Sequence, residues 1–236
     1  MQNVTKIIFF NLIGIALLAS YQLTGHNGFW FHIDSMVFHF FNAPLDKSTI
    51  YLYFVAITNH RLFDIISFAA MGLLYLTYFR GQEGTQKRRM ICIGITMLLM
   101  AVIIKQLGRF IPFDHASPTL FFDHINRVSQ LTHFGTKDAS ADSFPGDHGM
   151  MLMIFTAFMG RYFGRNAFIK AAMIVIIFSL PRIMAGAHWF TDVYVGSLAI
   201  VCIVLSWFLL TPASDYIISR INHCLPENIF ANKSIG

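Results

Sequence analysis

The chain has 236 residues, of which 56% are hydrophobic and only 12% are charged. A soluble domain carries about a quarter charged residues, so this composition excludes an ordinary water-solvated globule and indicates a chain solvated by lipid. The formal net charge of +5 is spread along the chain in a way that fits membrane orientation better than nucleic-acid binding.

Six segments are long and apolar enough to read as spanning helices, each near the ~20 residues that cross a hydrocarbon core. The expected fold is therefore all-α, a polytopic membrane bundle forming one domain over residues 1–236. The first span, Ile7–Leu23, has only Lys6 ahead of it and no clear A-x-A cleavage site after it, so it reads as an anchor rather than a signal peptide. Thr24–Arg61 follows, rich in aromatics (GFWFHIDSMVFHFFN, then IYLYFVAIT). It reads as one or two interfacial helices, since Trp and Tyr favour the headgroup zone. Its bulk near Trp30 and Phe31 is expected to cover the polar site described below.

Leu62–Phe79 and Met90–Leu107 are the next two spans, joined by the basic RGQEGTQKRR loop, Arg80–Arg89. A long loop, Gly108–Asp147, carries Pro112, Pro118 and Pro145 and most of the remaining polar residues; such loops commonly hold function. Gly149–Phe163 (short), Phe168–Met184 and Trp189–Leu210 complete the six. Lys6, Arg80, Lys87, Arg88, Arg89, Arg161, Arg165, Lys170, Arg220 and Lys233 fall on one side. By the positive-inside rule that side is cytoplasmic and holds both termini. Cys92, Cys202 and Cys224 lie in helices or the inner tail and are not placed for a disulfide.

Polar residues gather on the other side. In PRIMAGAHWFTD (Pro181–Asp192), Asp192 stands one helical turn after His188, so its carboxylate can hold the imidazole Nδ1–H and leave the other nitrogen as nucleophile. Gly186 suggests a break that brings Arg182, at the end of one span, to His188 at the head of the next. SFPGDHGMM (Ser143–Met151) turns at Pro145–Gly146, offers Asp147 as N-cap and sets His148 at a helix start, where free N–H groups favour phosphate. In KQLGRF, Lys105 and Arg109 share a helix face, sensible if an anion sits between them. Two imidazoles, one carboxylate and several cations make a phosphoryl-transfer set. Asp138, Asp142 and Asp147 lack the pattern of a metal triad, and no cofactor or metal is expected. His115 and His124 lie near enough in sequence to touch a substrate.

At these residues the sequence resembles the phosphatidic acid phosphatase type 2 superfamily, with signatures K-x6-R-P, P-S-G-H and S-R-x5-H-x3-D. The third appears as Arg182, His188 and Asp192 with Pro181 for Ser; the second as Pro145-Gly146-Asp147-His148. In the first, Lys105 and Arg109 survive, but Pro112 stands where Arg is expected, and Arg127 in INRVSQL is the expected substitute for it. The resemblance implies metal-free chemistry through a phosphohistidine, with His188, His148 and Asp192 catalytic and Lys105, Arg109, Arg182, Arg127, Gly146 and Asp147 binding phosphate. HNGFWFHID, VAITNHRLFD, INRVSQL, TKDASADSFPGDHGMM and LLTPASD further resemble a bacterial branch, the lipid A phosphotransferases. That branch implies a bacterial inner-membrane enzyme with a periplasmic site. It would take undecaprenyl diphosphate as donor and the 1-phosphate of lipid A as acceptor, giving lipid A 1-diphosphate and undecaprenyl phosphate. A hydrolase of undecaprenyl diphosphate or another lipid phosphate would use the same residues. A non-enzymatic lipid-binding or transport protein is a more distant alternative, since its ionisable residues belong near the midplane rather than at helix ends.

Overall fold

The computed structural model describes residues 2–24, 28–108 and 115–226. Among them no strand forms, only an isolated bridge between His60 and Thr136. In chain order the helices are α1 (Gln2–Thr24), α2 (Phe29–Asn42), α3 (Thr49–Thr58), α4 (Arg61–Arg80), α5 (Gly84–Gly108), α6 (Pro118–Phe121) and α7 (Val128–Thr132). Then come α8 (Asp147–Phe163), α9 (Arg165–Met184), α10 (Asp192–Leu210) and α11 (Ala213–Cys224).

Five of these, α1, α4, α5, α9 and α10, are long and apolar enough to cross a membrane. Their outward faces carry uncovered side chains such as Leu12 and Ile15 on α1, Ile65 and Leu73 on α4, and Ile169 and Ile176 on α9. Continuous apolar surface of that extent needs lipid against it. The remaining expected span, α8, has 17 residues, about 25 Å at 1.5 Å per residue. It is the innermost helix, with Leu152, Ile154, Phe155, Phe158 and Met159 all buried against α5, α9 and α10. A helix walled by protein is not held to the length of the lipid core. Gly149 allows α10 to approach: a Cβ there would lie 2.6 Å from Val193 Cγ1.

The aromatic Thr24–Arg61 stretch folds as two helices, α2 and α3, the latter capped by Ser48 Oγ, which accepts the Tyr51 N–H at 3.3 Å. Two boundaries differ from expectation. The basic loop Arg80–Arg89 shortens, because its second half winds into the start of α5. The polar tail forms α11, which the apolar-run criterion passes over. It is tied down by Arg88, which donates to the Asn222 side chain at 2.8 Å and to the carbonyls of Asn222 and Leu225, both at 2.7 Å. Arg161 adds an ion pair to Asp215 at 3.2 Å.

α10 is wound more widely than an α-helix over Asp192–Ser197 and Val201–Leu205. The first stretch has a visible cause. The Asp192 carbonyl accepts Gly146 N–H (2.9 Å) and Ser197 Oγ–H (3.0 Å), so it is drawn out of the regular ladder. Because successive spans alternate in direction, the starts of α4, α8 and α10 meet the ends of α5 and α9 at one end of the bundle. The long loop 115–146 folds over that end.

Candidate active site

The chain leaves α9 through Gly186, whose φ of +73° is open to glycine and strained for other residues. A Cβ there would also meet Thr119 Cγ2 at 2.6 Å. The turn hangs on Arg182: its carbonyl accepts the N–H groups of Ala187 (3.0 Å) and His188 (3.3 Å). His188 thus stands just ahead of α10 rather than inside it. Asp192, fully buried, reaches back over the first turn and accepts the Trp189 N–H at 2.8 Å.

The same Asp192 oxygen, Oδ2, lies 3.3 Å from His188 Nδ1, and the Ser143 carbonyl oxygen lies 3.0 Å from that nitrogen. A carboxylate and a carbonyl only accept, so Nδ1 carries the hydrogen and Nε2 keeps its lone pair. This is the tautomer a nucleophilic imidazole needs. Oδ1 of Asp192 takes a further bond from His115 Nδ1 at 3.2 Å.

His188 borders a cavity of about 750 Å³ that is also lined by His148, Arg182, Lys105, Lys137 and Asp64. Arg182 is 5% exposed. Its Nη2 donates to Asp64 Oδ1, while Nη1, equally buried, has no partner among the described residues. Lys137 Nζ meets Asp64 Oδ2 at 2.9 Å, and His148 Nδ1 lies 3.9 Å from Asp64 Oδ1. Asp64 is thus the common counter-charge of three cationic or ionisable groups. Neither it nor Lys137 stands out in the sequence reading, although a lone acid at the head of an apolar span is itself a functional signal.

Other expected phosphate-binding residues are engaged within the protein. Lys105 Nζ pairs with Asp147 at 2.9 Å, and Arg109, expected beside it, lies outside the described residues. Asp147 is the first residue of α8 and not its cap, which is Gly146, and its carboxylate is taken up by Lys105. Gly146 donates its N–H to the Asp192 carbonyl at 2.9 Å and accepts Ser197 Oγ–H at 2.8 Å, so it fastens α8 to α10 instead of facing the cavity. Arg127 is not among the cavity residues; its Nη2 lies 3.6 Å from Asp138 Oδ1, in the loop around α7. The aromatic helix α2 does not line the cavity either. Phe31 packs beside Trp189, with ring centroids 6.0 Å apart and planes tilted by 50°, and so supports the His188 turn from behind.

Behind that turn, Asp34 of α2 is buried and accepts the Thr191 N–H at 3.0 Å. Burial pushes its carboxyl up to about 7, against the lowering effect of the bonds from Thr191.

A family model described as PAP2 superfamily matches residues 90–215, the stretch that supplies Lys105, His148, Arg182, His188 and Asp192. The chain belongs to the PAP2 superfamily. It is also 49% identical to lipid A 1-diphosphate synthase of Escherichia coli (strain K12) over 235 residues, covering 98% of this chain and 99% of that protein. No solved structure matches the chain. Within the PAP2 signature, glycine in place of serine at 146 has a local reason. A Cβ there would press on Val193 Cγ2 at 3.2 Å, where α8 and α10 are pinned together.

Proposed function

We propose that this lipid phosphotransferase moves a phosphoryl group from undecaprenyl diphosphate to the 1-phosphate of lipid A, through a phosphohistidine on His188, at the periplasmic face of the bacterial inner membrane. The observation that carries the reading is a nucleophile facing an anion site. His188 presents Nε2 with its hydrogen fixed on Nδ1, beside a buried Arg182 whose Nη1 has no partner among the described residues. The relative named for making lipid A 1-diphosphate supports the acceptor. An apolar groove of about 280 Å³ between α4 and α5, sharing Phe68, Met71 and Leu98 with the cavity, suits the hydrocarbon of a lipid substrate. The basic residues at the opposite end of the bundle, with α8 counted as the sixth crossing, support the periplasmic side.

In the first step His188 Nε2 attacks the terminal phosphorus. The N–P bond forms as the bond to the bridging oxygen breaks, and His148 gives that oxygen a proton. Arg182 and Lys137 hold the equatorial oxygens, Asp64 yielding its share of both, while Lys105 reaches from the mouth of the cavity. Asp192 offsets the positive charge that grows on the imidazole. In the second step His148 takes a proton from the acceptor phosphate, whose oxygen attacks the phosphohistidine and restores His188.

The test follows the terminal phosphate of labelled undecaprenyl diphosphate incubated with purified protein, lipid A and excess chelator, with His188→Ala as control. Label on lipid A, absent with His188→Ala, is the expected result. Label released only as inorganic phosphate would make the protein a hydrolase and overturn the acceptor. Transfer that survives in His188→Ala would overturn the phosphohistidine.

A further inference from the structure

Asp192 holds two imidazoles, and the mechanism above uses one. His115, in the loop ahead of α6, places Nδ1 3.2 Å from Asp192 Oδ1, the oxygen that His188 does not use. Its tautomer can be read from its neighbours. Ser143 Oγ, 3.3 Å from the same nitrogen, donates its own hydrogen to the His115 carbonyl at 2.8 Å, so towards the ring it accepts. Nδ1 of His115 therefore carries the hydrogen. On the far edge of the ring, Nε2 lies 2.8 Å from Tyr21 Oη, and with Nδ1 protonated the phenol donates to it. Tyr21 is itself fixed by stacking on Phe144, centroids 4.7 Å apart and planes 5° from parallel. Phe144 follows Ser143, whose carbonyl accepts from His188. The two imidazoles are thus held by one carboxylate and one short loop segment, and α1 enters the arrangement through Tyr21.

We propose that His115, its ring held in place by Tyr21, is a positioning residue for phosphoryl transfer: it fixes the carboxylate plane of Asp192 so that Oδ2 meets the His188 Nδ1–H and Nε2 remains the nucleophile. The inference rests on the phosphohistidine reading above. Its physical basis is the looseness of a carboxylate torsion, which has broad wells. The Trp189 N–H and the His188 Nδ1–H both fall on Oδ2, and a donor on Oδ1 is what sets the rotation. Among the described residues, the charged and titratable groups around His115 include Asp192, His188 beyond it, Asp34 on α2 and Tyr21 on α1.

The test compares His115→Leu, His115→Asn and Tyr21→Phe with the parent protein, using undecaprenyl diphosphate labelled on its terminal phosphate. Single-turnover capture of acid-labile label on the protein, kcat and KM for transfer, and the 15N signature of the His188 tautomer are read. The loss of one hydrogen bond to a charged group predicts that His115→Leu slows capture about 10- to 100-fold with KM little changed. His115→Asn, whose amide N–H can take the place of Nδ1–H, should recover most of the rate, with Tyr21→Phe between the two. In His115→Leu the His188 nitrogens should no longer report a single tautomer. Equal capture by His115→Leu and the parent, or an Asn variant no better than Leu, would overturn the inference and leave the phosphohistidine standing. If the parent itself captures no label, the phosphohistidine reading fails and this inference with it. Should His115→Leu not fold, Tyr21→Phe decides alone: capture at the parent rate overturns the proposal.

Discussion

Replacing Asp192 with Asn keeps the size of the side chain and removes its charge. The amide has one acceptor oxygen for three donors, from His188, His115 and Trp189. That oxygen will take the Oδ2 position, where two of the donors converge, which turns the NH2 group against His115 Nδ1. His188 keeps a neutral acceptor, and the Ser143 carbonyl at 3.0 Å still orients its ring. On the proposed phosphohistidine route the expected loss is therefore mainly electrostatic: the imidazole would gain positive charge as the N–P bond forms, and no anion would face it. For charges ~4 Å apart at an effective dielectric of ~20 the lost interaction is about 4 kcal/mol, or about 10³-fold in rate. Single-turnover capture of label on His188 measures this step directly, with thermal unfolding in detergent to confirm that the buried amide is tolerated. A folded Asp192→Asn protein that captures label within about tenfold of the parent rate would refute the assigned role of the carboxylate.

Two further outcomes follow from the structure. Arg182→Lys supplies one ammonium where a guanidinium serves Asp64 with Nη2 and leaves Nη1 free. The loss of the second donor should cost about 10²-fold in kcat, and a change confined to KM would show that Nη1 does not touch the transferring group. Asp34 gives a pH dependence of stability. Its carboxyl is pushed up to about 7 in the fold and returns to the ordinary range near 4 on unfolding. Its protonated form is thus favoured by folding. The stabilisation is complete below about pH 4 and disappears as pH rises through about 7, a swing of about 4 kcal/mol for a shift of about three units. Unfolding midpoints should fall between pH 5 and pH 8 in the parent and fall less in Asp34→Asn, which has no proton to lose. An equal fall in both would remove Asp34 as the cause.

What could be read from the sequence is what is local along it. The spans are legible because a bilayer demands about 20 apolar residues, and the pairing of His188 with Asp192 because they stand four positions apart. His148 and Arg182 are legible as polar groups at span ends. The rest depends on which helix ends meet. Asp64 and Arg182 are 118 positions apart, and Lys137 lies 73 from Asp64; only the packing of α4 against α9 and the return of the long loop bring them together. Arg127 illustrates the converse. It belongs to the same loop, but that loop directs it to Asp138, and the acid that accepts the Ser129 N–H at 2.8 Å is not visible as its partner from spacing. The helix α11 is missed for a different reason. Its stability comes from the Arg88 bonds and from packing on α5, neither of which an apolar run records.

The placement of Asp64 bears on how, in the proposed exchange, one site would serve two lipids in turn. A buried guanidinium beside a lysine and an imidazole is costly while no substrate is bound, since each charge lacks its hydration. Asp64 supplies a counter-charge through both oxygens, one to Arg182 and one to Lys137. It shares Arg182 without exhausting it, because Nη1 stays free. An incoming phosphate carries more charge than one carboxylate and more acceptor oxygens, so it can compete for these donors without their having to be rebuilt. When the donor lipid leaves, Asp64 can take them back, and the cations are held in place for the acceptor. On this reading a single set of cations meets two different phosphates on either side of one phosphohistidine, as a two-step exchange between lipids requires. In that scheme the acid absent from the signature motifs is the one that holds the cations in place between them.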